Sequence, residues 1–294
     1  MEAFKWETFD DPTHGRVNYV DQATALRKNM TYASGNKFIM RPDFQSIVPP
    51  AARGRDSNRI SSYSTYRDSV VVLDVQHVPD SICSVWPAFW TVTASKWPEG
   101  GEIDIYEGVN KNEANLGSLH TSAGCTMAQN RPQTGTTTST ECNARVNNNQ
   151  GCGTQFTKPS SFGSSLNAIG GGWFAMKRTD GGIYMWFWGR NDPTVPKAVA
   201  EGRKEASPDA SWGTPAASFP ASSTCNIHDR FDAHRIVFDT TFCGDYAGSQ
   251  YGSAGCPGSC PDFVNNNPAA FTGAYWEINA LRVYTPGKSS SGIL

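Results

Sequence analysis

An all-β sandwich of two antiparallel sheets packed face to face is the fold this chain predicts, and three observations predict it. Runs of strand length, rich in valine, isoleucine and aromatic residues, recur along the chain between glycine, proline and asparagine turn signals. No capped segment with a 3.6-residue period exceeds about ten residues, which leaves nothing to build a helical layer. The 294 residues contain no linker-like break in composition, so one large domain over residues 1–285 is expected. Charged residues make up 18% of the chain and the formal net charge is −2. That is well below the usual roughly one quarter charged, and no basic stripe marks a nucleic-acid partner.

In chain order, Val17–Val20 and Lys37–Met40 read as early strands, and the proline-rich segment Pro49–Arg55 as a loop. Ser69–Val78 mixes a buried run with alternation and stops at Pro79, as a long central strand would. Val85–Val92 follows and turns back through Lys96–Gly101 into Gly101–Gly108, so these two strands are antiparallel neighbours. Trp86 and Trp90 then share a face, and Trp86 reads as a core residue. Leu119-His120-Thr121 returns beside Gly101–Gly108. Residues 127–166, rich in Thr, Ser, Asn and Gly, read as a long pinned loop. Asp180-Gly181 between Gly172–Lys177 and Ile183–Trp188 is a hairpin signal, with aromatics placed as sheet core. Trp212 fits packing and binding equally well. His234–Phe242 and Tyr275–Tyr284 are the last strands, and the serine- and glycine-rich tail from Pro286 to Leu294 reads as disordered.

One stretch resists a purely structural account. Glu102-Ile103-Asp104-Ile105-Tyr106-Glu107 sets three carboxylates in an otherwise apolar strand. Strict alternation would put Glu102, Asp104 and Tyr106 on one face and Glu107 on the other. A β-bulge between Asp104 and Glu107 would bring Glu107 back to the first face. The outer α-carbons would then lie roughly 10–13 Å apart at strand rise. Two glutamate arms leaning inward could approach the carboxyl spacing of about 5–5.5 Å that serves retaining glycoside hydrolysis. Like-charge repulsion would hold one of the three protonated as an acid. An exposed polar edge or a calcium site is the alternative, although hard cations usually take their oxygens from glycine-bearing loops.

The run Glu102-Ile103-Asp104-Ile105-Tyr106-Glu107 resembles the E-x-D-x-x-E signature of glycoside hydrolase family 16, in the bulged form typical of laminarinases and endo-1,3(4)-β-glucanases. Its surroundings, Trp97-Pro98-Glu99-Gly100-Gly101 and Gly108-Val109-Asn110, are similar to those of secreted fungal laminarinases. The likeness runs from Asp11-Pro12-Thr13-His14-Gly15-Arg16 through Ala274-Tyr275-Trp276-Glu277-Ile278 to Tyr284. It implies a β-jelly-roll sandwich with a concave substrate cleft. It also implies that Glu102 is the nucleophile, Glu107 the acid/base and Asp104 the supporting carboxylate. Trp90 and Trp97 match tryptophans of substrate subsites, where an aromatic ring stacks on the apolar face of a sugar. His120 matches a histidine lining the cleft. Tyr246 stands where related laminarinases often have tryptophan, a departure that bears on subsite strength. The implied activity is endo-hydrolysis of β-1,3-glucans and of mixed-linkage β-1,3-1,4-glucans. Two rivals keep the same sandwich: a carbohydrate-binding module without the acid pair, and a glucan transglycosylase using the same intermediate.

Eight cysteines, without the close pairs and histidines of a zinc module, point to disulfides whose pairing the spacing leaves open. With the single sequon Asn29-Met30-Thr31 they lead us to expect a secreted protein. The opening Met1–Trp6 has no basic start or apolar core, so a mature form lacking its leader is expected. No run is long enough to span a membrane as a helix. No organic cofactor is called for, a structural calcium is possible without being indicated, and a monomer is the default expectation.

Overall fold

Ser69–His77 shows why the chain builds two sheets and then covers one of them. Val71, Leu73 and Val75 face the core between the sheets, while Val70 and Val72 face the opposite way into a second apolar cluster. A strand buried on both faces loses the polar alternation of a surface strand, which is the pattern its sequence shows. The computed structural model describes residues 3–287, 291 and 292.

Among these residues one sheet runs, edge to edge, Phe4–Trp6, Arg59–Ser62, His234–Phe242, Val85–Thr93, Glu102–Glu107, Leu116–His120, Cys152–Gln155 and Thr136–Thr137. The other runs Ala217–Pro220, Gly182–Gly189, Gly172–Thr179, Ser69–His77, Trp276–Tyr284, Lys37–Met40 and Thr31–Ser34. Pairing within both is antiparallel, and the two sheets form a β-jelly-roll sandwich. Phe89, Ile103, Ile105, Leu119 and Phe238 from the first sheet meet Phe174, Met185, Phe187, Trp276 and Leu281 from the second. At about 25 cal/mol per Å² of apolar surface, burial of this size is the main term holding the sheets together.

The outer face of the second sheet is roofed by the segment around Trp212. That ring is buried, edge-on to Trp186 at 5.3 Å and Trp188 at 5.4 Å, so Trp212 packs and does not bind. The outer face of the first sheet carries the carboxylates and forms the cleft.

Residues 127–166 are more structured than a loop. Thr136–Thr137 and Cys152–Gln155 extend the cleft sheet at its edge, and Gly163–Ala168 is a short helix. All eight cysteines pair, as Cys83–Cys256, Cys125–Cys225, Cys142–Cys152 and Cys243–Cys260. The expected disordered tail falls mostly on 288–290 and 293–294, outside the described residues. Ser291–Gly292 pair with Arg282 and Val283.

Candidate active site

The carboxylate strand departs from regular pairing at one residue. Trp90 pairs with Asp104 and Phe89 with Tyr106, so Ile105 is the extra residue of a β-bulge. Ile105 and Tyr106 therefore both turn into the core, at 1% and 0% exposure. Glu102, Asp104 and Glu107 share the cleft face, as the bulge expectation required. Asn115, fully buried on the next strand's approach, accounts for the backbone groups the bulge strands. Its Nδ2 donates to the Ile105 carbonyl at 2.9 Å and its Oδ1 accepts from the Glu107 N–H at 3.0 Å. The Tyr106 ring anchors the other side, stacked on Phe162 with centroids 4.8 Å apart.

Each carboxylate has its own partners. Asp104, 3% exposed, accepts from Ser118 Oγ at 2.8 Å and pairs with His120 Nε2 at 3.3 Å. Burial disfavours a charged His120 ring, but the hydrogen bond and charge of Asp104, with the charges of Glu102 and Glu107, outweigh it and hold the ring up at about 10. Glu107 accepts from Trp86 Nε1 at 2.8 Å. Glu102 feels the charge of Arg59 and lies near Trp97, both of which favour its ionised form. Burial first, and the Asp104 charge second, push both glutamates well above the ordinary carboxylate range. A charge on one glutamate raises the cost of ionising the other, so the two titrate together.

The turn into the strand is fixed from behind. Gly101 has φ +81°, and an added Cβ would lie 2.5 Å from the Phe231 ring, so only glycine fits. The Gly100 carbonyl accepts from Asp232 N–H at 3.0 Å and from His234 Nε2 at 2.8 Å. Burial keeps His234 neutral, its pKa pushed down to about 3, with Nδ1 left to accept from Thr91 Oγ1 at 2.9 Å.

Glu102, Asp104 and His120 also present ligand atoms within 4.8 Å of one another, a spacing that could hold a metal ion. A protonated imidazole has no lone pair to donate, so this geometry is better suited to a charge network.

A family model described as "XgeA-like, catalytic GH16 domain" matches residues 4–284. The chain belongs to glycoside hydrolase family 16. This family-16 chain is 50% identical to laminarinase 16A of Phanerochaete chrysosporium, whose structure holds 6-O-glucosyl-laminaritriose in donor and acceptor sites. The two superpose with a TM-score of 0.92 over 96% of this chain and 95% of that one. An elongating family-16 β-1,3-glucosyltransferase is 39% identical, with a TM-score of 0.88 over 99% and 95% of the two chains. A probable endo-1,3(4)-β-glucanase of Aspergillus clavatus is 42% identical over 96% of this chain and 44% of its own length. The family-16 chain thus spans about half the length of the curated relatives it matches.

The structure brings together all seven residues singled out in the sequence. Trp90 lies on the cleft face beside Asp104, under the Arg59 guanidinium at 4.8 Å. Trp97 is exposed at the turn, and Tyr246 sits on the helical turn Gly244–Gly248 with its ring edge-on to Trp86 at 5.5 Å. Trp86 corrects an expectation: it is a cleft residue and donor to Glu107. Alternation had put it on the Trp90 face, and the same logic should have carried it to the cleft. Arg59, held by Glu7 at 2.9 Å and Asp239 at 3.2 Å, was missed, as were Asn115 and Ser118. Their roles depend on long-range contacts that no local motif announces.

Proposed function

We propose that this chain is the catalytic domain, residues 1–285, of a secreted endo-β-1,3(4)-glucanase that hydrolyses laminarin-type β-1,3-glucans and mixed-linkage β-1,3-1,4-glucans with retention. The observation that carries the reading is the row of Glu102, Asp104 and Glu107 on one open sheet face, with Trp86 donating to Glu107. Four disulfides support the extracellular setting.

Glu107, protonated, gives its proton to the glycosidic oxygen while the Glu102 carboxylate attacks the anomeric carbon. The carbon–oxygen bond breaks, the shortened glucan leaves as an alcohol, and a glycosyl ester forms on Glu102. Glu107, now ionised, takes a proton from water, whose oxygen attacks the same carbon and frees Glu102. The repulsion between the two glutamates is mutual, but the Arg59 charge favours the ionised form of Glu102 and is not among the main influences on Glu107. This asymmetry supports Glu102 as nucleophile and Glu107 as acid. Trp90, Trp97 and Tyr246 supply ring surfaces for sugars. The scheme uses side chains and water alone and calls for no cofactor.

Reducing-sugar release from laminarin and barley β-glucan, measured for the wild type and Glu102→Ser, tests the reading. Cleavage of either polymer that disappears in the variant supports it. Wild-type binding without cleavage of either overturns it.

The likeness to the elongating glucosyltransferase favours a second outcome for the same intermediate. A sugar hydroxyl in place of water would give products longer than the starting laminari-oligosaccharide, which mass spectrometry of the digest would show.

A further inference from the structure

His120 is held from both sides. Its Nε2 lies 3.3 Å from Asp104 Oδ2 and its Nδ1 lies 2.8 Å from Asn149 Oδ1. A neutral imidazole has one N–H and can serve only one of two acceptors, whereas the imidazolium serves both. The second acceptor comes from an unusual piece of backbone. Asn147, Asn148 and Asn149 follow one another at φ 52°, 54° and 58°, a left-handed run that asparagine tolerates and most residues do not. Gly151 then passes so close to the histidine that an added Cβ would sit 2.7 Å from Cε1 and 2.8 Å from Nε2. The Cys142–Cys152 disulfide closes this loop, Ser139 Oγ donates to the Gly151 carbonyl at 2.6 Å, and Arg145 pairs with Glu99 on the Trp97 turn. The segment is tied down at several points, and Asn149 meets the ring within it.

We propose that Asn149 is a positioning residue: its amide oxygen makes His120 a two-sided donor, a fixed cation that turns one N–H and its charge toward Asp104 and the glutamate pair. The titratable groups facing the ring are Asp104, Glu102 and Glu107 from the neighbouring strand. Leu116–His120 and Cys152–Gln155 bring no other ionisable side chain, and Arg145 is engaged with Glu99. His120 pairs with Asp104 and partly offsets the Asp104 charge at both glutamates, which lowers the cost of ionising either one. The kinetic part of this inference rests on the glucanase reading. The titration of His120 does not.

The test compares Asn149→Gly, which keeps the left-handed backbone and removes the amide, with Asn149→Asp, which restores an acceptor for Nδ1–H. His120 is followed by ring nitrogen NMR in the intact chain. We expect the wild-type ring to stay doubly protonated through neutral pH. In the glycine variant its pKa should fall by on the order of one unit, and the aspartate variant should recover it. With laminarin, kcat should fall in the glycine variant at unchanged KM. The alkaline limb of its pH profile should move up slightly, because the ring, less firmly charged, gives up its proton closer to the range in which Glu107 titrates. A wild-type ring that is neutral at pH 7 overturns the proposal whatever the variants do. So does a glycine variant that melts earlier with His120 titrating as before, which would mark Asn149 as structural only. If no glucan is cleaved by the wild type, the glucanase reading falls while the NMR result still decides this one.

Discussion

Glu107 is placed where the proposed catalysis benefits and folding does not. Burial and the Asp104 charge raise its pKa, so the folded state favours the protonated form more than the unfolded chain does. The stabilisation from such a group is complete below the ordinary value of 4.5 and is lost as pH rises through the raised one. His120, raised from 6.5 to about 10, behaves alike: its contribution is complete below 6.5 and is lost as pH climbs toward 10. Both work toward loosening on the alkaline side. Glu7 and Asp43, lowered by arginine partners and hydrogen bonds that outweigh burial, lose their contribution on acidification instead. Glu107→Gln keeps an oxygen for the Trp86 N–H and removes the charge that burial penalises. Its melting temperature should match the wild type near pH 5 and exceed it near pH 9. Each kcal/mol recovered is worth about 2–4 °C in a chain of this size. Paired melting curves at the two pH values decide it, and a variant no more stable at the higher pH would show that the carboxylate is not under strain.

At the scale of the strand, the bulge was legible and its support was not. The spacing of three carboxylates around Ile105 and Tyr106 demanded one extra residue, because strict alternation sends Glu107 to the core. Nothing local pointed to Asn115, which satisfies both the Ile105 carbonyl and the Glu107 N–H from the next strand. The pairing carries a further consequence. With Ala88, Phe89 and Trp90 opposite Glu107, Tyr106 and Asp104, deleting Ile105 leaves an unbroken register and keeps every carboxylate on the cleft face. Loss of a fully buried isoleucine should cost about 2–5 kcal/mol, yet the deletion variant should cleave laminarin above the level of Glu102→Ser. In the full-length strand, Asn115→Ala should cost about 1–3 kcal/mol by orphaning two buried backbone groups. In the deletion background most of that cost should vanish, since the bulge it serves is gone. A double-mutant cycle from denaturant unfolding measures the coupling, and additive effects would mean that Asn115 acts elsewhere.

For the whole molecule, period-two patterns and turns gave the long strands to within about a residue or two, and the hairpins that join them. Faces were harder. Ser69–His77 and Gly172–Thr179 are buried on both sides, so alternation cannot tell inter-sheet core from the roofed outer layer, and Trp173, Trp186 and Trp188 lie in the latter. Cysteine pairing was illegible for a related reason: the partners are set by the crossings of the sheet, with separations from 10 to 173 residues. Those separations imply a division of labour. Cys125–Cys225 closes 100 residues across the sandwich, whereas Cys142–Cys152 closes 10 around the loop that presents Asn149. The chain-entropy estimate gives roughly 4.7 kcal/mol for the long loop and about 3 kcal/mol or less for the short one. All four sulfurs are equally buried, so alanine pairs leave similar cavities and the difference reports the loops. Removing Cys125–Cys225 should therefore lower the unfolding midpoint more. Removing Cys142–Cys152 should cost less stability and yet shift the His120 titration and the pH profile of glucan cleavage, which the long-range pair should leave in place. The same two double variants, read by denaturant unfolding and by histidine NMR, separate what holds the sandwich closed from what tunes its acids; equal effects of both on His120 would remove the distinction.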